Sequence, residues 1–204
     1  MGSRGLVLTG LPGSGASSVA RLLAARHGLA VRDSDRDVEH RLGAEVADIF
    51  LNGGEAAFRD AERTVVLAAL AGLAPAIPST ATSTAPSTAT PAAPAPAATP
   101  VPAVVVVGGG ALADDEVATA LRQVTAAGVP LVFLDVLLPD AARRLGWQTH
   151  AVPAGLGSPR ATWQRLADER RARCRELATL VLATDGSTVA QVADLLEAQL
   201  EEMT

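Results

Sequence analysis

Leu6-Val-Leu-Thr-Gly-Leu-Pro-Gly-Ser-Gly-Ala-Ser-Ser18 is the stretch on which the fold turns. The apolar run from Leu6 to Leu8 reads as a buried strand, the glycines after it as a tight turn, and an amphipathic helix begins near Ser17. Strand, glycine-rich loop and helix in that order are the setting of the phosphate-binding pattern Gly-x-x-x-x-Gly-Lys-[Ser/Thr]. Here it reads Gly10-x-x-x-x-Gly15-Ala16-Ser17, with every position filled except the lysine.

The loop's chemistry has separable parts. Glycines at 10, 13 and 15 let the backbone wrap closely around an anion. Successive N–H groups and the helix N-terminus then face the phosphates, backed by roughly half a positive charge from the helix dipole. Ser17 fills the position whose hydroxyl reaches Mg²⁺. Gly10, Gly13, Ser14, Gly15, Ala16, Ser17 and Ser18 are therefore the candidate nucleotide contacts. None of these contributions needs the side chain of residue 16. The absent ammonium would supply a mobile point charge following the phosphates as charge shifts during transfer, so catalysis suffers more than binding. All 17 basic residues are arginines, so no lysine elsewhere in the chain can take its place. An arginine's planar fork delivers charge differently from a compact ammonium.

With 204 residues the chain suits one domain with ample length for a core. Hydrophobic residues make up 49 % and charged residues 19 %, as in ordinary globular proteins. A net charge of −5 and a pI near 5.2 give no basic footprint for nucleic acid. The single cysteine, Cys174, excludes an intrachain disulfide and fits a reducing compartment. Its arginine-rich neighbourhood could lower its pKa; an inert thiol is the expectation. No signal peptide opens the chain and no apolar run reaches the roughly 20 residues of a membrane span, so a cytoplasmic protein is expected.

Taken in order, residues 17–27 carry helical apolar spacing, and Gly28 ends them. Residues 29–32 read as a second strand delivering Asp33-Ser34-Asp35 at its carboxyl end, where open parallel sheets bind ligands. That pair of carboxylates suits a metal or a polyol, or equally an Asx turn with Asp35 capping the following helix. Residues 36–51 suggest two short helices broken at Gly43, and a longer helix over 56–72 carries Phe58, Arg59 and Glu62. Arg59 suits bidentate pairing with a carboxylate, or simple solvation on a helix. His27, His40 and His150 have no metal-ligand spacing and receive no catalytic role.

Residues 75–102 are almost entirely Ala, Pro, Ser and Thr, without charge or periodicity, and read as a disordered insert within the domain. Ala103-Val-Val-Val-Val107 then reads as a central parallel strand with Gly108-Gly109-Gly110 at its end. A helix over 114–127, a strand over 131–136 and a helix over 140–145 continue the alternation. Residues 146–160 suit a mobile lid. A helix over 160–177, a strand over 181–184 and a helix over 189–202 complete an α/β doubly wound domain with a parallel sheet.

Gly10 to Gly15, Asp33-Ser-Asp35, the stretch from Ala47 to Glu62, the triple glycine 108–110, Phe133-Leu-Asp135 and the Ala-Thr-Asp-Gly before the last helix together resemble the shikimate kinase family. The resemblance covers nearly everything except the 75–102 insert. It implies a three-layer P-loop kinase fold and, for active members, transfer of the ATP γ-phosphate to the 3-hydroxyl of shikimate. By that resemblance Asp35 orients and activates the hydroxyl, Arg59 and Arg170 pair with the shikimate carboxylate, and the backbone of Gly108, Gly109 and Gly110 closes on the ring. Ser17 and Asp33 serve Mg²⁺, and Arg144 matches the arginine that stacks near adenine.

Two departures fall on the phosphoryl group. The family's loop lysine is Ala16, and its lid arginine falls at Ala151 by ungapped spacing. Losing two such cations costs on the order of 4 to 8 kcal/mol of transition-state stabilisation if their effects are independent. The sequence thus leaves three readings: a family member that keeps its ligand sites with transfer impaired or lost, a working kinase that compensates through Arg160 or a partner's cation, and a related small-molecule kinase with another hydroxyl acceptor. The expected ligands are ATP, Mg²⁺ and a shikimate-like hydroxy acid; the oligomeric state is not legible.

Overall fold

The computed structural model describes residues 5–46, 48–49, 54–73, 103–146 and 159–203, the last segment without the side chains of 159 and 160. The expected insert at 75–102, most of the expected lid (147–158, with His150 and Ala151) and the Arg160 side chain lie outside the described residues.

Five parallel strands form one sheet in the order β2–β3–β1–β4–β5: β1 (Leu6–Gly10), β2 (Ala30–Asp33), β3 (Ala103–Gly108), β4 (Leu131–Asp135) and β5 (Leu180–Ala183). Among the described residues seven α-helices accompany them: α1 (Ala16–His27), α2 (Ser34–Leu42), α3 (Gly54–Ala71), α4 (Asp115–Ala126), α5 (Leu138–Arg144), α6 (Pro159–Leu177) and α7 (Val189–Glu202). Element types follow the sequence expectations, with ends displaced by one or two residues, except that the second short helix expected after Gly43 lies partly outside the described residues. The helix after β4 starts at Leu138 rather than Asp140, because Pro139 suits the first helical turn, where no N–H is required.

Alternation along the strands builds the layers. Leu6, Leu8, Val104, Val106, Val132 and Leu134 face Val19, Leu23, Val192 and Leu196 of α1 and α7. Val7, Val105, Val107, Leu131 and Phe133 face the opposite layer, which includes Phe58, Val66, Leu121, Trp163 and Cys174. With both faces covered, the strands read as continuous apolar runs rather than as alternating ones.

β1 is central, and its partners are β3 and β4, with Gly10 level with Gly108 on one side and with Leu134 on the other. The helix leaving β1 (α1) and the helix leaving β3 (α4) cover opposite faces. A crevice therefore opens beyond the carboxyl ends of β1 and β3, at a topological switch point. Both glycine loops empty into it.

Candidate active site

At the end of β1, Gly13 (φ 86°) and Gly15 (φ 89°) occupy the left-handed region, which only glycine adopts without strain. A Cβ at Gly10 would collide with Ser14 Oγ. Gly15 is the N-cap of α1 and no side chain caps that end, so the helix N-terminus opens onto the loop's concavity. Ser14 is buried, its N–H donating to Leu11 O at 2.9 Å. Residue 16 ends in a methyl group and brings no charge to the loop.

Arg144, at the end of α5, grips this loop through its backbone. Its Nη1 donates to Gly13 O (3.1 Å), Ser14 O (3.2 Å) and Thr184 Oγ1 (3.1 Å), and its Nη2 to Thr184 O and to Ser187 O (3.2 Å). Those donors lie in the guanidinium plane, so its flat faces are not consumed by these bonds. From the other side Trp163 of α6 donates its indole N–H to Pro12 O at 2.9 Å. The neighbouring Arg143 is paired with Asp140 at 2.9 Å.

Across the cavity from the glycine loop, the helix cap is Asp33 and not Asp35: Asp33 Oδ1 accepts from the Asp35 N–H at 3.3 Å, and Asp35 lies inside the first turn of α2. Of the two sequence readings, the one in which Asp35 caps the helix is excluded, because the strand ends at Asp33 itself. Ser34 Oγ accepts from the Gly108 N–H at 3.1 Å and ties the two loops together. Asp35 opens onto the crevice. Desolvation by the surrounding wall, then Asp33 and Glu39, raise its pKa, while Arg59 and Arg170 oppose the rise.

Arg59 of α3 donates to Glu62 Oε2 at 2.6 Å, with Glu55 at 3.4 Å on its outer side. Its guanidinium lies over Gly110, where a Cβ would come within 2.7 Å of Nη1. Arg170 of α6 faces it; burial and then the Arg59 charge lower the Arg170 pKa. Two guanidinium groups held against each other's repulsion form a ready anion site.

One cavity of about 770 Å³ joins these pieces. Its walls include Gly10, Gly13, Ser14, Gly15, Ala16, Ser17, Ser18, Asp33, Asp35, Arg59, Gly108, Gly109, Gly110, Arg144 and Arg170. Every candidate residue named from the sequence within the described residues is thus brought to one place. Sequence reasoning gave no role to Glu62, which is 2 % exposed and closes the floor beside Arg59. Its spacing from Arg59, three residues along a helix, was a legible signal. It also missed Trp163 and the backbone grip of Arg144, whose acceptors lie far along the chain. Cys174 is buried beneath Gly109, and burial pushes its thiol up to about 11, in keeping with an inert side chain. Among the described residues no helix is long and apolar enough to cross a membrane.

A family model for shikimate kinase matches residues 12–83 and 96–201. A shikimate kinase of Thermobifida fusca is 37 % identical over 201 residues, 98 % of this chain and 97 % of the relative. One of Salinispora tropica is 36 % identical over 187 residues, 92 % of each. Among solved structures, a shikimate kinase from Acinetobacter baumannii in complex with shikimate superposes with a TM-score of 0.73 at 22 % identity, covering 98 % of this chain and 94 % of that one. A gluconokinase from Sinorhizobium meliloti shares the fold at a TM-score of 0.56 and 17 % identity. With its parallel sheet, its glycine cradle and a matching family model over most of its length, the chain belongs to the shikimate kinase family.

Proposed function

We propose that the chain binds a nucleotide and a shikimate-like hydroxy acid in this cavity and transfers phosphate between them poorly or not at all. Arg59 and Arg170 hold the acceptor's carboxylate, and the Gly108–Gly110 backbone lies along its ring. Asp35 accepts the proton of the attacking hydroxyl as its oxygen bonds to the γ-phosphorus and the bond to the ADP oxygen breaks. Burial raises the Asp35 pKa, which makes its carboxylate a stronger proton acceptor. The N-terminus of α1 and the loop amides receive the phosphates. Ser17 and Asp33 would hold Mg²⁺, a pairing of one hydroxyl and one carboxylate that fits an ion keeping phosphate and water ligands. That ion would neutralise charge on the β- and γ-phosphates.

The observation that carries the reading is a built carboxylate and hydroxyl site on the same cavity as a phosphate loop whose residue 16 is alanine. The cradle persists; the mobile cation does not. The test is a coupled assay with ATP, Mg²⁺ and shikimate beside calorimetric titration of shikimate. Measurable shikimate binding, lost in Arg59→Ala, with turnover several powers of ten below the Thermobifida fusca relative, supports it. Turnover within tenfold of that relative refutes the impaired-transfer part, and binding no better than that of Arg59→Ala refutes the substrate part.

A further inference from the structure

We infer that Arg144 is a positioning residue for the phosphate cradle: from behind the loop it holds the turn and orients and polarises the peptide unit whose Gly15 amide receives the phosphates. The inference rests on the nucleotide reading above and goes beyond a role in stacking on a base.

In a trans peptide the carbonyl of one residue and the N–H of the next point in opposite directions. Arg144 Nη1 holds Gly13 O at 3.1 Å and Ser14 O at 3.2 Å, so the Ser14 and Gly15 N–H groups must both point away from the guanidinium. The first is taken up by Leu11 O at 2.9 Å, closing the turn. The second belongs to the residue that caps α1 and lines the cavity. A charged donor on a carbonyl draws electron density along the peptide and makes the N–H at the other end a stronger donor. Arg144 therefore lends the loop positive potential through its backbone.

The grip is over-determined. Thr184 O and Ser187 O anchor the same guanidinium, Asp140 lies 3.8 Å away, and the side chain is only 21 % exposed. A rigid arginine fixed on two sides orients the loop before a ligand arrives. In a chain whose loop lysine is alanine, that fixed charge is the cationic support the described residues give to these two peptides.

Tripolyphosphate has no base, which separates the two roles of Arg144. Calorimetry on the full chain, on Arg144→Gln and on Arg144→Lys, with tripolyphosphate, ADP and shikimate as titrants, tests the inference. Arg144→Gln should lose roughly tenfold or more in tripolyphosphate affinity, since charge-assisted hydrogen bonds are lost. Arg144→Lys should fall between, and shikimate affinity should be unchanged in both. Tripolyphosphate binding equal to the parent's with ADP binding weakened would overturn the inference and leave a stacking role alone. A parent that binds neither tripolyphosphate nor ADP would overturn the nucleotide reading itself. Should the variants not fold, amide NMR of the unmutated chain decides: the Gly15 amide proton must move on adding tripolyphosphate, and a stationary Gly15 resonance contradicts the inference.

Discussion

Arg59 donates to Glu62 across one turn of α3 at 2.6 Å, while the Glu62 carboxylate lies buried beside Gly108, where a Cβ would come within 2.8 Å of its Oε1. This pair forms the wall proposed to receive the acceptor. Burial raises the Glu62 pKa despite the opposing Arg59 charge, and Asp35 adds to the rise.

A pH dependence follows from that shift. A carboxyl whose native pKa lies above its unfolded value holds its proton more tightly when folded. Its contribution to stability is therefore full below the ordinary glutamate value of 4.5 and is lost as pH rises through the raised native value. Asp35 titrates in the same sense. Melting temperature measured from about pH 4 to pH 8 should fall less steeply in Glu62→Gln than in the parent as pH rises above the ordinary glutamate value. Parallel curves would contradict the assigned burial cost.

Gly110 lies against the Arg59 guanidinium, with a Cβ there 2.7 Å from Nη1 and 2.9 Å from Nη2. Gly110→Ala should displace the arginine from the acceptor wall and weaken shikimate binding by about tenfold or more, leaving ADP binding unchanged. Titration with both ligands checks it. Equal losses for both would point to general disorder of the site.

Asp135 ends β4 as the buried anchor of α6. It accepts from Arg171 Nε at 3.0 Å, from Arg175 Nη2 at 2.9 Å and from the Val136 N–H at 2.9 Å. Asp135→Asn leaves a partly buried Arg171 with only the more distant Asp168, at 3.8 Å, as counter-charge and should cost about 2 to 3 kcal/mol in urea unfolding. Because α6 also carries Trp163 and Arg170, shikimate affinity should fall as well. A cost below about 0.5 kcal/mol would mean that α6 is held by its apolar face alone.

Much of this was written in local pattern. Leu6–Leu8 followed by three glycines fixed the strand, the loop and the helix start, because a covered parallel strand is a continuous apolar run and a phosphate loop needs glycine at particular steps. Arg59 and Glu62, three residues apart, show their pairing to anyone reading helical spacing. Arg144 does not. Its acceptors at Gly13 and Ser14 are 131 and 130 residues away and are carbonyl oxygens, which every residue possesses. Trp163 and Pro12, 151 residues apart, hide for the same reason. Asp33 and Asp35 are equally good capping residues in the sequence, and only the strand's end decides that Asp33 takes the cap.

On the proposed reading the cradle and acceptor wall are in place, and the missing charge at residue 16 is a principal reason that transfer is slow. The most direct test of that reading is single-turnover transfer from ATP to shikimate, with both saturating, in the parent and in Ala16→Lys. Slow transfer in the parent and a gain of about 10² to 10³ in the variant are expected, with shikimate affinity unchanged. A parent already fast, with no gain from the added lysine, would contradict it.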